Sequence, residues 1–142
     1  MLLNRIVFYG FLGLVWLAAS GSVAAQTPSK AGSVVYIIEP TDGAVLHGPV
    51  TVKFGLRGMG VAPAGVDRPG TGHHHLLIDT EVPPLDRPIA KDPQHRHFGG
   101  GQTEAVIDLP PGRHTLQLIL GDKDHIPHKP PLVSKRITVT VE

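Results

Sequence analysis

The chain has 142 residues with 13 Lys and Arg against 12 Asp and Glu, nine histidines and no cysteine. Disulfides and thiolate metal sites are therefore excluded, and no basic run supplies the electrostatic footprint of a nucleic-acid binder. The length allows one domain with its own core.

Residues 1–25, MLLNRIVFYGFLGLVWLAASGSVAA, place Arg5 before an apolar run and end in Val23-Ala24-Ala25. This layout predicts a secretory signal peptide cleaved after Ala25. The apolar run from Ile6 to Ala19 falls short of the ~20 residues a membrane-spanning helix needs, so no span is expected after cleavage. Removing 25 of the 142 residues leaves 117, with Arg5 the one charge lost and a formal balance of zero. The aromatics remaining are Tyr36, Phe54 and Phe98. That is too few for the stacking platform of a carbohydrate or single-strand nucleic-acid binder.

Residues 26–32, QTPSKAG, read as a flexible lead, and residues 33–142 as one domain. Short apolar or alternating runs follow: SVVYIIEP (33–40), PVTVKFGL (49–56), HHHLLID (73–79), QTEAVIDL (102–109), RHTLQLILGD (113–122) and VSKRITVTVE (133–142). Gly, Pro and Asp clusters separate them, and no stretch shows a 3.6-residue period. This pattern predicts an all-β, immunoglobulin-like antiparallel sandwich of about seven strands, with the seventh a short edge strand around residues 85–90. Val52, Phe54, Leu76, Ile78, Ile107, Leu116, Leu118, Ile137 and Val139 are the expected core.

The motifs GTGHHHLLID, HFGGGQTEAVIDLPPG, HTLQLILGDKDHIPHKPP and ITVTVE resemble those of a bacterial exported family, domain of unknown function 4399. The resemblance extends over about Glu39 to Glu142. It implies an envelope location and supplies no activity.

In a sandwich of alternating strand directions, the loops after the second, fourth and sixth strands share one end. His73, His74 and His75, then His95 and His97, then His125 and His128 all fall there. His47 and His114 fall at the other end, His114 in the slot where many sandwiches place a corner Tyr. Residues two apart on a strand share a face ~6.6–7 Å apart at the backbone, so His73 with His75, and His95 with His97, can each send two imidazoles toward one ion. Pro127 stiffens a third pair, His125 and His128. Alternation turns His74 the other way, with Leu76 and Ile78. Asp122 and Asp124 are candidates to orient a ligand imidazole, and Met59 to add a thioether, although packing is the commoner role for a lone Met.

A single histidine of this kind is more often hydrogen-bonded to backbone than bound to metal; the convergence of seven at one pole is what points to metal binding, with His73, His75, His95, His97, His125 and His128 as the ligands and His74 structural. Imidazole donors suit Cu(II), Zn(II) and Ni(II), with Cu(II) bound most strongly at a given nitrogen site. The expectation is an exported copper-binding protein, with zinc as the second choice, acting in delivery, buffering or sensing. The alternative is a non-catalytic envelope module whose histidine pole recognises a protein or cell-wall partner. An enzyme ranks below both. Ser33 and Ser134 lie in strands away from the histidines, and Gln26 rather than a histidine would be the first mature residue, as a histidine-brace oxidase does not allow.

Overall fold

The computed structural model describes residues 26–142, so the signal-peptide expectation lies outside the described residues. Nine strands form in chain order: β1 (Val34–Glu39), β2 (Val45–Leu46), β3 (Val50–Arg57), β4 (Gly60–Val61), β5 (Thr71–Ile78), β6 (His95–His97), β7 (Glu104–Ile107), β8 (Gly112–Gly121) and β9 (Ile137–Val141). No helix occurs among the described residues, and none there is long and apolar enough to cross a membrane.

Two sheets face one another. The smaller has the order β1-β3-β7, all antiparallel. The larger runs β2-β9-β8-β5-β4, with β6 also pairing β5. On β5, β4 takes the Thr71–Gly72 end and β6 the stretch from His75 to Leu77. The two-residue side-chain period decides which residues lie between the sheets. Val52 and Phe54 of β3, Leu76 and Ile78 of β5, Ile107 of β7, Leu116 and Leu118 of β8, and Ile137 and Val139 of β9 are all buried there in one cluster. These are the nine residues the alternation singles out. Met59 packs against the same cluster.

The outer face of the large sheet is also covered, which a simple sandwich does not require. Leu77, Ile119 and Ile89 form a second buried cluster with Val133 against it. Ile89 comes from the irregular segment between β5 and β6, and Val133 from the one between β8 and β9. With both faces of β5 packed, every residue from Gly72 to Ile78 is buried.

Three features depart from the expected strand pattern. Residues 85–90 form no strand; Pro83, Pro84, Pro88 and Pro93 remove too many ladder donors, and the short strand on that edge is β6. The pairings of β2 with β9 and β4 with β5 are parallel, each only two residues long. Residues 26–29 are tied down: Pro28 bridges to Lys129, and the Ser29 N–H donates to the Lys129 carbonyl at 3.1 Å.

A candidate metal centre on the outer face of the large sheet

Three elements bring four imidazoles together. His73 and His75 project from the outer face of β5. His97 enters from β6, directly opposite His75 in the ladder. His125 arrives from the loop after β8. The ring centroids of His73, His97 and His125 stand 4.7–5.0 Å apart in every pairing. His75 is 4.8 Å from His73, 5.0 Å from His97 and 6.0 Å from His125. One ring nitrogen from each of His73, His97 and His125 lies within 4.8 Å of the others. The Nε2 atoms of His73 and His75 are 3.0 Å apart.

The His73–His75 separation fits two ligands of a single ion, while the set that brings one nitrogen each within 4.8 Å is His73, His97 and His125, without His75. Two nitrogens each ~2.0–2.1 Å from one metal stand ~2.9–3.4 Å apart for angles between ~90° and ~109°. The donor chemistry fits as well. His73 Nδ1, His75 Nδ1 and His97 Nε2 are buried without a hydrogen-bond partner, a condition proteins rarely leave unrelieved. Burial pushes the His73 imidazole down to about 4, helped by the nearby His125 and His97. Burial pushes His75 down to about 2, with His73, His97 and His125 adding to the fall. His97 is lowered by the same cause, then by His125 and Lys91. His73 and His75 so disposed stay neutral well below neutral pH, and the neutral ring is the ligating form.

Glycines shape the walls of this space. A Cβ on Gly121 would lie 2.9 Å from His75 Nε2, and one on Gly99 would lie 2.2 Å from His97 Cε1. Neither ring can keep its place beside a larger residue.

His74 points the opposite way, against Phe54 at a centroid separation of 5.2 Å. Neither of its nitrogens makes a hydrogen bond, and burial brings it down to about 4.

Two of the six candidate ligands stand apart from the quartet. His95 shares the outer face with His97 but pairs with Leu77, one pleat farther along β5. Its Nδ1 lies 2.9 Å from Asp92 Oδ1. His128 is buried, and its Nε2 donates to the Thr71 carbonyl at 3.1 Å. The turn at His125, with φ of 68°, sends the two loop histidines to different places. Neither Asp122 nor Asp124 touches an imidazole: Asp122 accepts backbone N–H groups, and Asp124 pairs with Lys123. At the other pole, His114 bonds Asp79 Oδ2 through Nδ1 at 2.6 Å and the Pro110 carbonyl through Nε2 at 2.8 Å. This is the corner role expected of it. Gly99 and Gly121 were not legible as site residues, because neither carries a donor; only their position beside a histidine-bearing strand gives them meaning.

Over 105 residues the chain is 32% identical to a protein named cytochrome f from Ostreococcus tauri, a match that takes in 73% of this chain and 27% of that protein. The chain thus spans about a quarter of that relative's length. No solved structure matches it. The model of the family described as Domain of unknown function (DUF4399) matches residues 52–142, from β3 to the final residue, including all four imidazoles of the quartet, and the chain belongs to that family.

Proposed function

We propose that this chain is an exported metal-binding protein whose cargo is copper, with zinc the second choice, and which serves delivery, buffering or sensing. The observation that carries the reading is the quartet itself: four imidazoles within 4.7–6.0 Å of one another, centroid to centroid, with burial favouring the neutral form of His73, His75 and His97. An all-nitrogen donor set favours borderline ions, and Cu(II) leads the affinity order at such a site. Met59 belongs to the core, so a thioether preference for Cu(I) has no support here. Export rests on the signal-like residues 1–25. The competing reading, a recognition surface at the histidine pole, has less to offer a macromolecule: His73 and His75 are 0% and 1% exposed, and of the other histidines there His95, His97 and His125 are only partly exposed.

The test is titration of chelator-stripped protein with Cu(II) and Zn(II), run side by side on wild type, His75→Ala and His74→Ala. One ion per chain is expected, with affinity lost in His75→Ala and kept in His74→Ala. Absence of stoichiometric binding in wild type, or equal losses in the two variants, would overturn the reading.

A further inference from the structure

Three imidazoles of the quartet stand on sheet strands, and the fourth does not. His73 and His75 are fixed by the β5–β8 ladder and His97 by its pairing with His75. His125 sits in a loop, with φ of 68°, a left-handed conformation that residues with a Cβ adopt only when their surroundings impose it.

What imposes it is a buried carboxylate, together with Ile89, whose N–H donates to the His125 carbonyl at 2.9 Å. Asp122 is 4% exposed. Its Oδ1 accepts the N–H groups of Asp124 at 2.9 Å and Ile126 at 3.0 Å, the two residues flanking His125. Its backbone carbonyl accepts the His125 N–H, and its own N–H donates to the Ile126 carbonyl, both at 2.9 Å. Its other oxygen, Oδ2, accepts the Thr27 hydroxyl at 2.7 Å. Thr27 is in turn stitched to the far side of the same loop. The Lys129 N–H donates to the Thr27 carbonyl at 3.0 Å, and the Gln26 side-chain amide donates to the Pro127 carbonyl at 3.1 Å. The N-terminal segment therefore spans the loop from Asp122 to Lys129 with His125 between its anchor points.

We propose that Asp122 is a positioning residue for the metal centre and that residues 26–29, through Thr27, form a strap that holds His125 in the quartet. The inference rests on the metal-binding reading and deepens it. With the strap docked, four imidazoles face the ion. With it released, the Asp122 carboxylate loses its Thr27 partner and the turn at His125 keeps only its bonds to Asp122 and Ile89, so that His125 is held less firmly and three sheet-borne imidazoles keep the ion with one side more open to an incoming ligand. Docking of the strap thereby governs exchange of the metal.

The experiment compares zinc affinity, by competition with a chromogenic chelator, for the purified protein carrying no change, Thr27→Val, Thr27→Ser, His125→Ala, or Thr27→Val with His125→Ala. Outer partners bonded directly to a ligand ring contribute ~10–100-fold in affinity; Asp122 and Thr27 act through the backbone around His125 instead, so the lower end is the ceiling here. Thr27→Val should weaken zinc binding several-fold, within that ceiling of about ten-fold, and Thr27→Ser should restore it. In the His125→Ala background, Thr27→Val should change nothing further, because the strap acts only through His125. An unchanged affinity in Thr27→Val, or the same loss repeated in the His125→Ala background, would overturn the strap. Asp122→Asn should be weaker still; if it does not fold, the Thr27 series decides alone. A second readout needs no metal. In chelator-stripped protein, Thr27→Val should speed amide hydrogen exchange at Asp124, His125 and Ile126 while leaving β5 and β8 as they were. Unchanged exchange at those three amides would sink the strap whether or not zinc binds. Failure of the wild type to bind either Cu(II) or Zn(II) would instead overturn the metal reading, with the exchange result still deciding the strap.

Discussion

His74 offers the sharpest quantitative handle on this fold, because it is buried between the sheets and takes no part in the quartet. Its folded value is about 4 against an ordinary 6.5, with burial the first cause. The folded value is the lower one, so the unfolded chain holds the proton more tightly between the two. The stabilisation is complete above 6.5 and is lost as the pH falls toward 4. At pH 5 an unfolded His74 would be almost wholly protonated and a folded one almost wholly neutral. The linkage then costs about 2 kcal/mol relative to pH 7. The perturbation is His74→Leu, which keeps an apolar side chain against Phe54 and removes the titration. The assay is urea unfolding of wild type and variant at pH 7 and pH 5, in chelator so that no metal intervenes. The change in packing enters both pH values equally and cancels. The stability of His74→Leu relative to wild type should rise by about 2 kcal/mol on going from pH 7 to pH 5. A difference under about 0.5 kcal/mol would mean that His74 titrates in the folded state much as it does in water, and the reasoning from burial would be wrong.

Other outcomes follow from the same geometry. Gly121→Ala places a methyl 2.9 Å from His75 Nε2, so the ring must move; Cu(II) and Zn(II) titration should show at least a ten-fold loss of affinity, the smallest step expected when a ligand ring is misplaced. Phe54→Ala removes an aromatic that is 3% exposed, and chemical denaturation should record a loss of about 3–5 kcal/mol. Asp79→Asn removes the partner whose hydrogen bond raises His114 above its ordinary value. That contribution is fully present below 6.5 and fades as pH rises through the folded value, so wild type and variant should converge in stability between pH 6 and pH 9. N-terminal sequencing of protein recovered from the cell envelope should begin at Gln26, and retention of Met1 would contradict export by cleavage. Saturating metal at ~100 times its dissociation constant should stabilise the domain by about 2.7 kcal/mol, a gain absent in His73→Ala with His75→Ala.

Strand positions were legible wherever alternation ran for four residues or more. The HHHLLI stretch shows why: a period of two assigns His73, His75 and Leu77 to one face and His74, Leu76 and Ile78 to the other, and packing on both faces follows that division. What periodicity cannot carry is anything shorter or anything in a loop. β2 and β4 are two residues each, below any repeat. β6 is the three residues His-Arg-His, legible as a dyad but not as a strand, while the proline-rich run before it suggested an edge strand that its missing N–H groups forbid. His125 and His128 looked equivalent because they are three residues apart around a proline. A left-handed turn at His125 separates them, and that turn is made by Asp122. The role of the lead 26–29 was equally hidden, since its hydrogen bonds go to residues about a hundred positions away.

The placement of the quartet has an energetic consequence for a domain without cysteine. A buried polar group lacking a partner costs ~1–3 kcal/mol, and the quartet leaves His73 Nδ1, His75 Nδ1 and His97 Nε2 in that condition. Small exported domains commonly offset such weakness with disulfides, which are not available here. An ion would relieve that cost only at a ring that ligates through its unpartnered nitrogen; at His73 and His75 that is Nδ1 and not the Nε2 of their 3.0 Å contact. The ion would also join β5, β6 and the loop after β8 at a single point, closing chain segments that run from residue 73 to residue 125. Such a link restricts the unfolded chain only if the ion stays bound to it, so the stabilisation is set by metal concentration and not by covalent chemistry. If the quartet holds an ion as proposed, the same residues that weaken the metal-free fold would make its stability follow the free-ion concentration, the property a buffer or sensor requires.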